Sequence, residues 1–141
     1  MLNKIIIGPI EKIDLLNLNI RNVICRVDTG AYLSTISASS VIIKPNGLEV
    51  VFFEPNSIYY TGQKLIFHKY DYIKIKSSNG LVERRYRIKL NIKLYDHKLK
   101  AWFTLTDRSK MKYSILIGRN VLKHRFLVDV GNLKLENSLE R

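Results

Sequence analysis

The sequence has a single cysteine, Cys25, in 141 residues. One thiol excludes an intramolecular disulfide framework and a Cys-rich zinc site. No apolar run approaches the roughly 18 residues that a membrane span needs. Ile5-Ile6-Ile7 is cut short by Gly8-Pro9, so no signal-peptide core is expected. The three histidines, His68, His97 and His124, form no pair at i+3 or i+4, so no His-based metal motif is present. Gly118-Arg119 lacks the spacing and the Lys-Ser/Thr of a phosphate loop. Acidic residues are also scarce: 12 Asp+Glu face 24 Lys+Arg, a net charge of +12. These features predict one soluble, cytoplasmic domain over residues 1–141, with no cofactor, no metal and no membrane partner.

The positive charge is uneven. Residues 1–70 carry 7 basic and 5 acidic side chains, whereas residues 71–141 carry 17 and 7. Such a field favours anionic partners, although it is equally what solubilises exposed strand faces. Hydrophobic residues make up 46% and charged residues 26%, which suits a globular chain and excludes a disordered one.

Period-2 alternation of apolar and polar residues recurs along the chain. It runs through residues 21–27, 70–76, 86–94, 100–106 and 126–130. These segments are rich in Ile, Val, Tyr, Phe and Thr, which fit a pleated, half-buried surface. Turn signals separate them at Pro45-Asn46-Gly47, Glu54-Pro55-Asn56, Ser78-Asn79-Gly80 and Gly131-Asn132. Asn79-Gly80 between two alternating runs predicts a type I′ hairpin from about Tyr70 to Leu94. One short helix is expected, at Arg119 to His124. The pattern is that of an all-β barrel or sandwich.

Among candidate chemical groups, Cys25 lies within an alternating strand and reads as a small buried hydrophobe. Arg84, Arg85, Arg87, Lys89 and Lys93, with Tyr86 among them, fit either a nucleic-acid surface or a solvated strand face. Asp28 ends an apolar strand and precedes Thr29-Gly30-Ala31. An acid there is open to a substrate backbone, since Gly30 permits close approach and Thr29 offers a hydroxyl. Asp-x-Gly is also a common turn. Asp107 reads as a turn cap or a partner of Arg108, and Asp129 as a structural partner for an arginine.

Two distant motifs carry a resemblance. Val27-Asp28-Thr29-Gly30-Ala31 resembles the active-site motif of retroviral-type aspartic proteases. Ser114 to Leu122, an apolar strand into Gly118-Arg119-Asn120 and a short helix, resembles their second signature, with the Asn79-Gly80 turn where a flap belongs. Val27 to Ala38, Glu83 to Leu90, and Phe103 through Asp129 are similar to the bacterial retropepsin-like aspartic protease family, whose members are often named ATP-dependent zinc proteases. The resemblance implies a retropepsin-like closed barrel with one short C-terminal helix. It implies an aspartic endopeptidase in which Asp28 from two chains meets at a homodimer axis. Thr29 and Gly30 would support that acid, while Ala31, Asn79, Gly80 and Arg119 would border the substrate. Some family members occur beside glutamate-ligase systems, which with the net charge points to acidic or glutamate-rich peptides.

The chain also departs from the family pattern. Ser37 stands where the family has a histidine, and no zinc or ATP motif accompanies it. Tyr32 stands where retroviral enzymes place an aspartate that pairs with the arginine matching Arg119, leaving Arg119 to Asp107 or Asp129. Two alternatives remain open from sequence. One is a retropepsin-like peptide-binding module without turnover. The other is a basic barrel that binds nucleic acid, with Asp28 incidental.

Overall fold

The computed structural model describes residues 3–108 and 110–132. Strands appear at Ile5–Ile7 (β1), Ile10–Leu15 (β2), Ile20–Val27 (β3), Ser34–Lys44 (β4), Gly47–Phe52 (β5), Leu65–Phe67 (β6), Tyr70–Lys76 (β7), Val82–Leu94 (β8) and His97–Thr106 (β9). Ile115–Ile117 (β10), a four-residue helix at Arg119–Leu122 (α1) and Phe126–Val128 (β11) follow.

Six strands close a barrel in the order β10-β3-β2-β8-β9-β4, and β4 returns to β10. Closure comes from β10, which runs parallel to β3 (Ile117 beside Val27) and antiparallel to β4 (Leu116 beside Thr35). The long β4 leaves the barrel and carries β5 and β6 with it. β7 pairs with the outer half of β8, and β1 lies parallel to β11 in a separate two-stranded sheet.

Alternation explains the core. On β8, Ile88, Leu90, Ile92 and Leu94 are fully buried, while the residues between them face outward. They pack with Val23 and Cys25 of β3, Ile36 of β4, Phe103 and Leu105 of β9, and Ile115 and Ile117 of β10. Cys25 is buried as expected, and burial pushes its thiol far above the usual range, so it has no thiolate to offer.

Three local expectations need correction. The hairpin spans the predicted region, but its turn is not type I′. Only Gly80 takes a positive φ (+83°), Ser77 N–H donates to the Leu81 carbonyl, and Gly80 N–H donates to the Ser77 carbonyl. This is a three-residue loop with glycine at the left-handed position. The helix stops at Leu122 instead of His124, because Lys123 turns extended (ψ 131°) and His124 is left-handed (φ 72°). The last strand ends at Val128, after which Asp129 folds a turn over Gly131 and Asn132.

Candidate active site

The candidate acid sits where three strands meet. β3 ends at Val27, and the next amide, Asp28 N–H, donates to the Ile117 carbonyl at 2.8 Å. The chain then makes a short loop before entering β4 at Ser34. Within it, Asp28 Oδ1 accepts from Gly30 N–H at 3.0 Å, and Ala31 N–H donates to the Asp28 carbonyl at 3.3 Å. The carboxylate orders its own turn while Asp28 stays half-buried and Thr29 and Gly30 stay exposed.

A second segment straps this loop from behind. Arg119 N–H donates to the Ala31 carbonyl at 2.8 Å, and Asn120 N–H to the Tyr32 carbonyl at 3.1 Å. Gly118 N–H donates to the buried Ser34 Oγ at 2.9 Å. Ser34 Oγ in turn donates to Asn120 Oδ1 at 2.8 Å, which also accepts from Ser34 N–H, while Asn120 Nδ2 donates to the Trp102 carbonyl at 2.9 Å. Gly118 is required by space: a Cβ there would lie 2.6 Å from the Leu33 carbonyl oxygen.

Asp28, Thr29, Gly30, Ala31 and Arg119 lie together in this loop and its strap, with Arg119 held by carbonyls rather than by an acid. Its Nη1 donates to the carbonyls of Thr29 (3.1 Å) and Gly30 (3.0 Å), and its guanidinium lies 5.9 Å from the Tyr32 ring centre. With Tyr32 in the place of an acid, loop carbonyls hold the cation. Among the described residues Asp129 forms no ion pair with it, and its Oδ1 accepts from Gly131 N–H instead. Asn79 and Gly80 lie at the exposed tip of the β7–β8 hairpin. Their hydrogen bonds are local: Asn79 Oδ1 is shared with Ser77 Oγ and Leu81 N–H. Among the described contacts, none ties this tip to the Asp28 loop.

Sequence reasoning assigned no role to Ser34 or Asn120, and it treated Arg108 only as a neighbour of Asp107. Arg108 lies within the field of Asp28. Burial lowers the guanidinium pKa, the Asp28 carboxylate opposes that shift, and Nε donates to the Tyr113 carbonyl at 2.9 Å. No local motif signals this approach, because Arg108 and Asp28 are far apart in the chain. Beside the loop, a groove of about 720 Å³ is lined by Thr29, Tyr32, Arg119, Leu122, His124 and Phe126.

The donor set does not suit a resident zinc ion. Among the described residues, no three His, Cys, Asp or Glu side chains gather closely enough to hold a metal. His68 Nδ1 is engaged with the Asn46 carbonyl and the His97 ring packs on Phe126. Among the same residues no helix is long and apolar enough to cross a membrane.

Comparisons with known proteins agree with this geometry. The family described as "Retropepsin-like aspartic endopeptidase RimB" matches residues 6–137. Two bacterial relatives are each named "Probable alpha-L-glutamate ligase". The protein from Shewanella halifaxensis is 37% identical over 90% of this chain, and that from Shewanella pealeana is 36% identical over 90%. The chain spans 29% of the length of each. A crystal structure of a Legionella pneumophila protein of unknown function aligns over 92% of this chain and 95% of its own, with a TM-score of 0.58 and 22% identity. That likeness is one of fold. The chain belongs to the RimB-like family of retropepsin-like aspartic endopeptidases.

Proposed function

We propose that this protein is an aspartic peptidase whose active site is completed by a second copy of the chain, and that its substrates are acidic, glutamate-rich peptides. One observation carries the reading: a single half-buried Asp28 projects from a loop locked at both ends to the barrel. The chemistry needs two carboxylates sharing one proton, because like charges about 3 Å apart cannot both ionise. One chain supplies one such acid, so a homodimer with Asp28 on the two-fold axis provides the pair.

In that pair, the ionised carboxylate takes a proton from water as it attacks the peptide carbonyl, and the protonated carboxyl hydrogen-bonds the carbonyl oxygen. Thr29 braces the two loops against each other, while Gly30 and Ala31 border the substrate backbone. Arg119 fixes the loop by holding the Thr29 and Gly30 carbonyls. The hairpin bearing Asn79 and Gly80 closes over the peptide and excludes water.

Two facts support the substrate class. The charge of +12 attracts acidic chains. Relatives that contain a matching segment are named for ligating glutamate, so hydrolysis here would oppose their reaction. The test compares wild type with Asp28→Asn on an oligoglutamate peptide. Hydrolysis is lost in the variant while circular dichroism and the sedimentation profile stay unchanged. Undiminished hydrolysis by Asp28→Asn, or a fully active monomer, would overturn the assignment.

A further inference from the structure

The outer wall of the barrel carries a cation cluster that the Asp28 site does not use. Strands β8 and β9 pair so that Lys89 faces Trp102, Asn91 faces Lys100, and Lys93 faces Lys98. These side chains point away from the core, since Ile88, Leu90 and Ile92 fill the inward positions. Lys69, from the bend before β7, reaches the same place. Lys69, Lys89 and Lys100 border one cleft, and the Lys69 charge above all, with that of Lys100 behind it, holds the Lys89 pKa below the usual lysine range.

Acids near this wall are engaged or displaced. Asp71 is held by Arg87 at 2.6 and 2.7 Å, and Asp14, opposite Lys93 on β2, accepts from Asn22 N–H. A cleft of about 330 Å³ opens between Lys69, Lys89 and Lys100, with Asn17, Asn91 and His68 on its walls, and no carboxylate among the described residues lines it. Three crowded ammonium groups around an acid-free cleft form a surface completed by an anion.

We infer that the Lys69, Lys89 and Lys100 cleft is an anchoring site for a carboxylate-rich peptide, separate from the Asp28 loop. The three cations come from neighbouring segments of one face, Lys69 before β7, Lys89 on β8 and Lys100 on β9, so one chain laid across the strands presents carboxylates to all three. Trp102 argues against stacked bases. Its ring already carries Arg87 and Lys89, 5.3 and 5.2 Å from its centre, whereas single-stranded nucleic acid needs open aromatic faces. An acidic substrate held here stays attached while Asp28 acts on another part of it. The choice of a peptide rests in part on the peptidase reading, but the site shares no residue with the catalytic loop.

Trp102 is the only tryptophan and its ring lies 5.2 Å from the Lys89 ammonium, so its fluorescence responds to that lysine; because the Trp102 carbonyl also accepts from Asn120 behind the Asp28 loop, the lysine variants assign the signal to the cleft. The experiment titrates Asp28→Asn protein with an oligoglutamate of about ten residues. A saturable change in emission is expected, with affinity falling about tenfold or more as ionic strength rises toward about 0.3 M. The triple change K69Q/K89Q/K100Q in the same background is expected to weaken binding at least about tenfold, with unchanged circular dichroism. Wild-type-like binding by the folded triple variant would overturn the inference. So would tighter, lysine-dependent binding of an unstructured polyuridine of equal charge. If the triple variant loses binding while wild type proves unable to hydrolyse, only the peptidase reading fails.

Discussion

Changing Ser34 to alanine tests whether the buried polar network behind Asp28 holds the site together. Ser34 is fully buried. Its Oγ donates to Asn120 Oδ1 and accepts from Gly118 N–H, at 2.8 and 2.9 Å. Alanine removes both bonds and leaves the buried Gly118 amide without an acceptor, while Asn120 Oδ1 keeps the residue-34 amide. The first loss costs about 1 kcal/mol and the orphaned amide about 1–3 more, so the variant is destabilised by about 2–4 kcal/mol. With a urea dependence near 2 kcal/mol per molar, the midpoint falls by about 1–2 M. Equilibrium urea unfolding followed by circular dichroism measures this directly. Ser39→Ala is the control, because Ser39 is exposed and its hydroxyl donates to the Val51 carbonyl over a long 3.4 Å. It stays within about 0.5 kcal/mol of wild type. A Ser34→Ala midpoint indistinguishable from the control would refute the role given to this network.

Two further outcomes follow from contacts already described. Gly118→Ala forces a Cβ to 2.6 Å from the Leu33 carbonyl oxygen and 3.0 Å from that of Ala31, so thermal unfolding shows a loss of about 1–3 kcal/mol; an unchanged melting temperature would contradict this packing. The Arg87 guanidinium, hydrogen-bonded to Asp71, holds the Asp71 carboxyl below its usual range. A carboxyl depressed in the fold stabilises it above the unfolded value near 4 and loses that contribution as pH falls through the folded value. Asp71→Asn therefore lowers the melting temperature at pH 7, and the gap with wild type narrows as pH falls below about 4, which parallel thermal scans check.

Strands whose faces differ in polarity were legible from sequence, and the rest were not. Residues 70–76 alternate and form β7 with those bounds. β4 reads Ser-Thr-Ile-Ser-Ala-Ser-Ser before its apolar stretch. Small polar residues blur the alternation there, because Ser34 and Ser37 are buried by tertiary contacts. β1 and β10 are three residues long and carry no period of their own; parallel partners distant in sequence define them. The hairpin was visible, but its turn type was not, since Asn-Gly suits two-residue and three-residue loops alike. At the site, the Asp28 turn and the Gly118 strap could be read as motifs. The carbonyl grip of Arg119 and the nearness of Arg108 depend on how distant segments meet.

The position of β10 sets an order of events during synthesis. Asp28 emerges early, yet the strand that fits between β3 and β4 and supplies the Ile117 carbonyl emerges some ninety residues later. Until then the first two strands of that trio have a gap where their shared neighbour belongs. A nascent chain thus carries Asp28 without the carbonyl that fixes its backbone, and the loop is set only when the last barrel strand slides into place. Such long-range closure places the protein among slow-folding β topologies, on the scale of milliseconds to seconds. It also makes the barrel's completion and the setting of the Asp28 loop a single step.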